Sequence, residues 1–516
     1  MGGSLPHSLY TAEQSRKLEA EAIQQHGVSG IELMRRAGLA AFDVLVKNWP
    51  QISRGGSLQI LCGSGNNGGD GYVIAALARQ RYIPVRVITL ENPEDLTGDA
   101  RRAWEWYRST GGLTQPWSDD TELTGDLIID AMIGIGLSRE VTGDYAAAIH
   151  AVNASGKPVM ALDVPSGLSV DSGTEQGVAI QADLTITFVG MKRGLVTGAG
   201  KRVCGHIICA DLNLSPEIFD SEPVSVKLLT ESEVAQYVAP RARDAHKGHY
   251  GHLLVVGGDY GMGGAAIMAA EAALRCGVGR VTLATRAEHV TACLVRSPEV
   301  MVQVVDSGAD IQVLLADKSA VVIGPGLGQS TWGRELLCAV LASDLPLLLD
   351  ADALNMIAET PGLMTPRENC IITPHLGEAA RLLGGPVVDV AEHRFAAVDK
   401  LQLFCGGVVV LKGAGTLIAS MDDDQGCTYI CNAGNPGMAV AGMGDVLSGI
   451  TGALLAQGIN VAQAARLGVW LHASAGDDCA KRQGETGIAA TDLIPAVRRL
   501  LNHLTDADRG TKEREL

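Results

Sequence analysis

A glycine-rich stretch late in the chain, Gly434 to Gly449, runs into an apolar helical pattern and contains one carboxylate, Asp445. Small residues let the backbone come close to a ligand, and the free N–H groups at a helix start favour a bound phosphate. Asp445 would stand beside that phosphate, where it could take a proton from a substrate hydroxyl. An aspartate N-cap behind a packing turn is an equally good interpretation of the spacing.

A second stretch of this kind, Lys412-Gly413-Ala414-Gly415-Thr416, follows an apolar strand. It offers a cation, backbone amides and a hydroxyl, all of which suit phosphate oxygens. Together with Gly442 to Asp445 it outlines a nucleotide cleft in which phosphoryl transfer depends on positioning and charge neutralisation. A strand-end turn with a solvated lysine explains the spacing equally well.

Three acidic side chains and one histidine precede both motifs in the sequence. Glu378 and either Asp350 or Asp352 could bind Mg²⁺, directly or through water, because carboxylates are its usual protein ligands. His375 would orient a substrate, or it would only cap the helix that follows it.

An N-terminal glycine loop, Gly63 to Gly71, follows the apolar strand Ser57 to Cys62 and precedes a predicted helix from Tyr72. Strand, glycine loop and helix form a phosphate-binding arrangement. The spacing is not GxGxxG, which argues against a standard dinucleotide site. The side-chain oxygens of Asn66, Asn67 and Asp70 suit a ribose, an amide or a hard cation. The alternative is a turn rich in Asn-Gly for conformational reasons.

Further carboxylates follow later strands of this half: Asp130 precedes a glycine loop, and Asp163 precedes Pro165-Ser166-Gly167. Ligands of open α/β sheets bind beyond the carboxyl ends of the strands, so these side chains should converge. Lys192 could reach the same rim.

A length of 516 residues predicts two domains, because a single core rarely grows so large. Both halves start with a strand and a glycine loop, but the loops share no spacing, so we predict no internal repeat. A Pro- and charge-containing segment separates the halves. We predict domains over 1–220 and 236–504, a connector over 221–235 and a charged, disordered tail over 505–516.

A net charge of −17 argues against a nucleic-acid or anionic-membrane partner. The eleven cysteines show no metal-site spacing and predict free thiols in a reducing, cytoplasmic protein. The N-terminus resembles no secretory signal, and no apolar run is long enough for a membrane span.

Several motifs, in order, resemble two enzyme families. LCGSGNNGGDGYVIAALA, IDAMIGIGL, LDVPSGL and TITFVGMKRGL are similar to the NAD(P)H-hydrate epimerase domain. VIGPGLG, DADALN, TPHLGEAARLL, LKGAGT and GNPGMAVAGMGDVLSG are similar to ADP-dependent NAD(P)H-hydrate dehydratases. The resemblance implies an N-terminal Rossmann-like three-layer domain followed by a C-terminal ribokinase-like α/β domain.

The resemblance also implies a chemistry, the repair of NADH and NADPH whose nicotinamide ring has added water. The first domain would interconvert the R and S hydrates, NADHX and NADPHX, and the second would dehydrate the S form with ADP and Mg²⁺, releasing AMP and phosphate. Phosphorylation of the C6 hydroxyl would precede elimination, because phosphate leaves more readily than hydroxide. We also expect a homo-oligomer.

The resemblance assigns residues to both sites. In the second half, Asp445 would deprotonate the hydrate, Ala265, Gly326 and His375 would contact it, and Lys412, Gly413, Ala414, Gly415, Thr416 and Gly444 would bind the adenine nucleotide. In the first half, the hydrate site would comprise Asn66, Asn67, Gly68, Gly69, Asp70, Gly134, Ile135, Gly136, Leu137, Ser138, Arg139, Glu140 and Asp163. Asn67, Asp130 and Ser166 would bind K⁺. We propose Asp163 as the acid/base of epimerisation because it lies at a strand end.

Two other functions compete. A ribokinase-like small-molecule kinase explains only the second half and predicts a phosphorylated product that accumulates. A nucleotide-sensing protein predicts binding without turnover, and the complete GMGD and KGAGT elements argue against it.

Overall fold

The computed structural model describes residues 5–421 and 426–512. The chain divides into two compact units, with the boundary between Lys227 and Leu228. This boundary falls inside the segment 221–235 that the sequence predicts as a connector. None of the helices in the described residues is long and apolar enough to cross a lipid bilayer.

The N-terminal unit alternates strands and helices. Its strands are β1 (Ser8–Tyr10), β2 (Leu58–Cys62), β3 (Val85–Thr89), β4 (Thr114–Pro116), β5 (Leu127–Ala131), β6 (Val159–Leu162), β7 (Leu184–Phe188), β8 (Met191–Lys192), β9 (His206–Ala210) and β10 (Val226–Leu228), which ends one residue past the boundary. Its helices are α1 (Ala12–Gln24), α2 (Gly30–Asn48), α3 (Asn66–Gln80), α4 (Gly98–Ser109), α5 (Gly143–Ala154), α6 (Gly200–Val203) and α7 (Pro216–Asp220).

Seven strands of this unit form a parallel sheet in the order β4-β3-β2-β5-β6-β7-β9. Ile60 and Leu61, neighbours on β2, belong to two different hydrophobic clusters. Since successive side chains of a strand point to opposite faces, apolar residues cover both faces of the sheet. Phe42 of α2 packs in one cluster and Ile149 of α5 in the other. The predicted Rossmann-like three-layer fold is confirmed.

The glycine-rich segment after β2 is more helical than the sequence predicts. The prediction of a loop that extends to Gly71 is wrong, because α3 already begins at Asn66. Gly68 permits this start, since a β-carbon there would overlap the carbonyl oxygen of Gly63. Asn67 and Asp70 therefore lie on the first turns of a helix, directly beyond the end of β2.

The C-terminal unit contains the remaining elements. Its strands are β11 (His252–Val256), β12 (Arg280–Thr285), β13 (Met301–Val304), β14 (Ala320–Ile323), β15 (Leu347–Leu349), β16 (Cys370–Ile372), β17 (Val408–Leu411), β18 (Thr416–Ala419) and β19 (Thr428–Cys431). Its helices are α8 (Glu231–Val234), α9 (Gly263–Arg275), α10 (Val290–Arg296), α11 (Gly308–Leu315), α12 (Thr331–Leu341), α13 (Ala351–Glu359), α14 (Leu376–Leu383), α15 (Val387–Glu392), α16 (Arg394–Cys405), α17 (Met443–Ala456), α18 (Val461–Gln483) and α19 (Ala490–Lys512).

Within this unit the strands follow the order β13-β12-β11-β14-β15-β16-β17-β18-β19. Those from β13 to β17 are parallel, and β17, β18 and β19 are antiparallel. Helices α9 and α17 cover one face and approach each other closely, because Gly449 has no side chain. A β-carbon at Gly449 would overlap the carbonyl oxygen of Ala269. The predicted mixed α/β fold of this half is confirmed.

The predicted disorder of the tail from residue 505 is wrong for the backbone of 505–512, which continues α19. High charge alone does not end a helix that a packed segment has already nucleated, because each added residue also adds a hydrogen bond. Residues 513–516 lie outside the described part of the chain.

Candidate active sites

Asp445 lies in the first turn of α17 in the C-terminal unit. The N-cap interpretation is wrong for Asp445, because Gly442 takes that position with a φ of +90°, a left-handed conformation that glycine adopts readily. Burial and the nearby charge of Asp350 raise the pKa of Asp445 to about 7, although Lys412 opposes this shift. A carboxylate that titrates near neutrality suits the role of a general base.

Lys412, at the end of β17, is not the solvated lysine of the alternative interpretation. Its Nζ lies 2.8 Å from Oδ1 of Asp350 and 3.8 Å from Oε2 of Glu378. Burial opposes the charge of Lys412, but these two carboxylates outweigh it and raise the pKa of Lys412. A β-carbon on Gly444 would lie 3.3 Å from Lys412 Nζ. The cation therefore faces the N-terminus of α17, and the two predicted phosphate-binding motifs come together.

Asp350 connects three parts of this site. It follows β15, accepts a hydrogen bond from Ser448 Oγ of α17 at 2.8 Å, and binds Lys412. Burial alone would raise the pKa of Asp350, yet Lys412 holds it below its ordinary value. The next residue, Ala351, has a φ of +46°, which is unfavourable for a residue with a β-carbon. Strain of this kind is commonest where a site fixes the backbone.

His375 and Glu378 form a capping box at the start of α14. His375 Nδ1 accepts from Gly377 N at 2.9 Å, and Glu378 Oε2 accepts from His375 N at 2.8 Å. The oxygens of Glu378 and Asp350 are thus engaged within the protein. Among the described side chains of residues 5–421 and 426–505, no cluster of three or more His, Cys, Asp or Glu could hold a metal ion.

Ala265 and Gly326 adjoin each other at the same edge of the sheet. A β-carbon on Gly326 would lie 3.2 Å from Cβ of Ala265. Gly326 follows β14 and its carbonyl accepts from Asp259 N at 2.7 Å, while Ala265 lies in the first turn of α9. The predicted residues of this half therefore all follow the carboxyl ends of β11, β14, β15, β16 and β17 or begin α17.

Two groups that the sequence did not single out hold the phosphate-binding motifs in place. The first is Arg394 of α16, which is 4% exposed. Its guanidinium donates to the carbonyl oxygens of Ala414 at 2.6 Å and Gly415 at 2.9 Å. Burial lowers the pKa of Arg394 to about 10, so it stays charged at neutral pH. Nothing in the spacing marks Arg394, since a lone arginine on a helix is usually solvated.

The second group belongs to α18. Asp477 accepts from Gly434 N and Asn435 Nδ2, each at 2.9 Å, and so fixes the start of the glycine-rich stretch. His472 is hydrogen-bonded to the Met443 backbone, and within the described part of the chain its Nε2 has no hydrogen-bond partner. Burial lowers the pKa of His472 to about 4, so the ring is neutral. One helix thus holds both ends of the segment that leads to Asp445.

The N-terminal unit has a cavity of about 720 Å³ at the carboxyl ends of its strands. The predicted residues that line it are Asn66, Asn67, Asp70, Gly134, Ile135, Gly136, Leu137, Ser138, Arg139, Glu140 and Asp163. Gly68 and Gly69 are not among the lining residues. A β-carbon at Gly69 would lie 2.5 Å from Cε of Met34, so both glycines serve the packing of α3.

Asp163 and Lys192 form an ion pair beside this cavity. Lys192 Nζ lies 2.6 Å from Asp163 Oδ1 and also donates to the Phe188 carbonyl oxygen at 2.7 Å. Lys192 is 1% exposed, whereas Asp163 lines the cavity. Asp163 has a φ of +63°, as expected for a strand end under constraint. Lys192 reaches the rim as predicted.

Glu19 of α1 also lines the cavity, although its helix resembles an ordinary charged surface helix. Burial raises the pKa of Glu19, with Lys192 opposing and Asp163 adding to the shift. Burial, followed by the charges of Asp163 and Glu19, raises the pKa of Asp70 well above its ordinary value. Three of the carboxyl groups that line the cavity, those of Glu19, Asp70 and Asp163, thus interact electrostatically, and the buried Lys192 favours the charged forms of Glu19 and Asp70.

Asp130 and Ser166 form a second polar cluster. Ser166 Oγ lies 2.6 Å from Asp130 Oδ1, and Ser166 N donates to Oδ2 at 2.7 Å. Burial raises the pKa of Asp130 to about 6, which these hydrogen bonds oppose. Both polar atoms of the Asn67 amide are buried and have no hydrogen-bond partner among the residues that the structure describes. An orphaned amide oxygen and a buried carboxylate are donors that fit a hard monovalent cation.

Comparisons with known proteins agree with this division. One family model, described as YjeF-related protein N-terminus, matches residues 30–194, and another, described as NAD(P)H-hydrate dehydratase, matches 253–499. The chain is 47% identical over 494 residues to the bifunctional NAD(P)H-hydrate repair enzyme Nnr of Coxiella burnetii, covering 96% of this chain and 99% of the relative. It is 40% identical over 499 residues to Nnr of Escherichia coli, covering 97% and 95%.

A solved structure matches the C-terminal half. It is a ribokinase-like superfamily protein from Enterococcus faecalis, with a TM-score of 0.51 and 28% identity. The match covers 54% of this chain and 96% of that protein. The ribokinase-like fold predicted for this half is confirmed.

Proposed function

Since the chain belongs to the family of bifunctional NAD(P)H-hydrate repair enzymes, we propose how its two units divide the repair. The N-terminal unit interconverts the R and S hydrates of NADH and NADPH. The C-terminal unit dehydrates the S hydrate at the expense of ADP. The observation that carries the second assignment is a carboxyl group with a pKa of about 7 at a helix start that also faces Lys412.

In the C-terminal unit, Lys412 to Thr416 and the N–H groups at the start of α17 bind the phosphates of ADP. Asp445 takes the proton from the C6 hydroxyl of the hydrate, and the resulting oxygen attacks the β-phosphorus of ADP. The bond to the bridging oxygen breaks, and AMP leaves. The phosphate ester then loses phosphate from C6 and a proton from C5, which restores the double bond. Positioning and charge neutralisation supply most of the catalysis in such transfers.

Mg²⁺ would enter this site with the nucleotide. Mg²⁺ usually binds through one or two carboxylates and substrate phosphates, and the oxygens of Asp350 and Glu378 already have protein partners. The ion would supply positive charge to the phosphate oxygens. Ala265, Gly326 and His375 would hold the hydrate, and Gly444 would let the nucleotide approach the backbone.

In the N-terminal cavity, epimerisation proceeds by loss of the C6 hydroxyl and return of water to the other face. The adjacent ring nitrogen makes this feasible, because its lone pair stabilises the cation left at C6. Asp163 gives a proton to the departing hydroxyl and takes one from the returning water. Its ion pair with Lys192 at 2.6 Å fixes the carboxyl at the cavity wall.

K⁺ would be held by Asn67, Asp130 and Ser166. The orphaned Asn67 amide and the buried Asp130 carboxylate support this assignment. The ion would supply a fixed positive charge that favours the ionised form of Asp130 and orders the loop after β5.

The deciding experiment gives the purified protein a mixture of R- and S-NADHX with Mg²⁺, K⁺ and ADP. We expect full recovery of NADH absorbance with one phosphate and one AMP per NADH. Recovery that stops when the S epimer is consumed would refute the epimerase assignment. A stable phosphorylated product would identify a kinase, and bound nucleotide without turnover would identify a sensor. Parallel reactions with ATP test the preference for ADP.

Two further expectations stay proposals. We place the protein in the cytoplasm, which its eleven cysteines support because a reducing compartment keeps thiols from forming disulfides. The expected homo-oligomer is testable by light scattering of the full chain.

A further inference from the structure

At one end of the C-terminal site, an exposed aromatic ring packs against side chains that are largely buried. Tyr260, in the segment between β11 and α9, is 67% exposed. The guanidinium of Arg286 lies 4.7 Å from the centre of the Tyr260 ring and 4.2 Å from that of Trp332. Trp332 is 5% exposed. Arg286 therefore connects a ring in the core to a ring at the surface.

The support beneath Tyr260 is held by further hydrogen bonds. Arg286 Nε donates to Asp259 Oδ1 at 3.0 Å, and Ser330 Oγ donates to Asp259 Oδ2 at 2.8 Å. Trp332 Nε1 donates to the Val305 carbonyl oxygen at 2.9 Å. Since these side chains are already ordered, a ligand that contacts the ring does not have to order them.

The position of Tyr260 relative to the ends of the strands indicates which ligand its ring can contact. Along the strand order β12-β11-β14-β15-β16-β17, Arg286 follows β12 and Lys412 follows β17. Asp350 follows β15, between them. The aromatic ring and the nucleotide loop thus lie on opposite sides of Asp350. Arg286 is three strands from β15, a distance of roughly 14 Å at the usual strand spacing.

A contact links the ring to the expected hydrate site. Asp259, which precedes Tyr260, donates its backbone N–H to the Gly326 carbonyl oxygen at 2.7 Å. A hydrated dinucleotide whose nicotinamide ring reaches Asp445 must extend its second nucleoside away from the reacting carbon. ADP occupies the Lys412 side, so the second nucleoside extends past Gly326 toward Tyr260.

We propose that Tyr260, supported by Arg286, is the surface on which the adenine base of the hydrated dinucleotide stacks. The proposal rests on the function proposed for this unit. Stacking on an exposed aromatic ring accepts any base with a flat π-face, and a cation against the ring strengthens it. Tyr260 touches no reacting atom, so it determines affinity for the dinucleotide rather than the rate of the chemical step.

The test compares Tyr260→Ala with Tyr260→Phe on two substrates, S-NADHX and the hydrate of reduced nicotinamide mononucleotide, which lacks the second base. We expect Tyr260→Ala to raise KM for S-NADHX about tenfold, as the loss of one base–aromatic stack predicts. The kcat, the KM for ADP and the kinetics on the mononucleotide hydrate should stay at wild-type values. Tyr260→Phe should behave as wild type, because the ring is kept.

Calorimetric titration of S-NADHX into each variant measures the same contact without turnover. A tenfold weaker Kd for Tyr260→Ala alone supports the proposal even if the wild-type protein fails to dehydrate the hydrate, which would refute only the proposed function. An unchanged Kd, or an equal loss for the mononucleotide hydrate, overturns the stacking assignment. An effect of Tyr260→Ala confined to ADP binding would show that the ring contacts ADP, and it would also overturn the stacking assignment.

Discussion

The carboxylate of Asp350 lies 2.8 Å from Lys412 Nζ and is almost fully buried. Both side chains act on the carboxyl group of Asp445, in opposite directions: Asp350 raises its pKa and Lys412 lowers it. The pKa of Asp445 is therefore set by a balance between two neighbouring charges as well as by burial. Substitutions of Asp350 and of Lys412 should therefore shift the pH profile of dehydration in opposite directions.

Replacing Asp350 with Asn should shift the pH inflection of dehydration to lower pH, because a negative charge near Asp445 is lost. Replacing Lys412 with Met should shift it to higher pH, because a positive charge is lost. The profile of kcat/KM for S-NADHX at saturating ADP measures both shifts. Shifts of the same sign in the two variants would contradict the opposing effects of Asp350 and Lys412 on the pKa of Asp445.

Lys412→Met should also lower the free energy of unfolding by about 3 kcal/mol, since it leaves the buried Asp350 carboxylate without the lysine that neutralises it.

The wild-type profile itself follows from the pKa of Asp445. A general base works only when deprotonated, so kcat/KM should rise with pH and level off above about 7. The neighbouring groups that set this value are Asp350, Asp352 and Lys412. Measurements from pH 5.5 to 8.5 at constant ionic strength would suffice. A flat profile over this range would remove Asp445 from the role of base.

Asp445→Asn keeps the shape of the side chain and removes the base. The kcat of dehydration should fall by about 10²- to 10⁴-fold, the usual contribution of a positioned base. Epimerisation measured on the same preparation serves as the control, because its residues lie in the N-terminal unit. Full dehydration activity in a folded Asp445→Asn variant would contradict the mechanism.

Asp163→Asn tests the epimerase assignment in the same way. Exchange between R- and S-NADHX should fall at least a hundredfold, while dehydration of pure S-NADHX continues. NADH recovery from the mixture should then stop once the S epimer is consumed. Glu91→Gln is a matched control, because Glu91 lines the same cavity and accepts a hydrogen bond from Tyr145 at 3.2 Å. Equal loss in both variants would point to damage of the cavity instead.

Asp477→Ala tests whether α18 positions the glycine-rich segment. The variant leaves the donors of Gly434 and Asn435 without their acceptor, which should cost about 2 kcal/mol of unfolding free energy. The KM for ADP should rise, because the glycine-rich segment that leads to α17 loses its support at Gly434 and Asn435. Asp478→Ala is the control: it removes ion pairs to Arg482 and Arg499 near the surface and should change stability by less than about 1 kcal/mol. Unchanged ADP kinetics in Asp477→Ala would assign Asp477 to stability alone.

Local sequence patterns predicted the parts of the fold that depend on local chemistry. Asp163 lines the cavity because the carboxyl ends of parallel strands share one edge, which the strand and helix pattern already implies, whereas Asp130 is bonded to Ser166. The start of α3 was missed because Gly and Asn favour turns in isolation. Close packing against β2 and β5 overrides that preference, and it depends on contacts far apart in sequence.

The supporting residues of the sites could not be predicted from spacing. Arg394 is 20 residues from Ala414, and Glu19 is on α1, far in sequence from Asp163, so only the folded topology brings them to their partners. His472 sits in an apolar helical stretch, where a histidine carries no signal of function. The groups that perform chemistry stand in recognisable motifs, whereas those that hold them are specified by tertiary contacts.

Gly449 has a consequence for which substrates this enzyme can be made to accept. It lies one turn from Asp445, and its neighbour Ala269 lies one turn from Ala265, so the gap between the two helices is fixed next to two residues that we propose contact the hydrate. Any larger residue at position 449 would force α9 and α17 apart. We therefore expect substitutions at Gly449 to change the distance between Asp445 and Ala265, and attempts to redesign specificity should begin there.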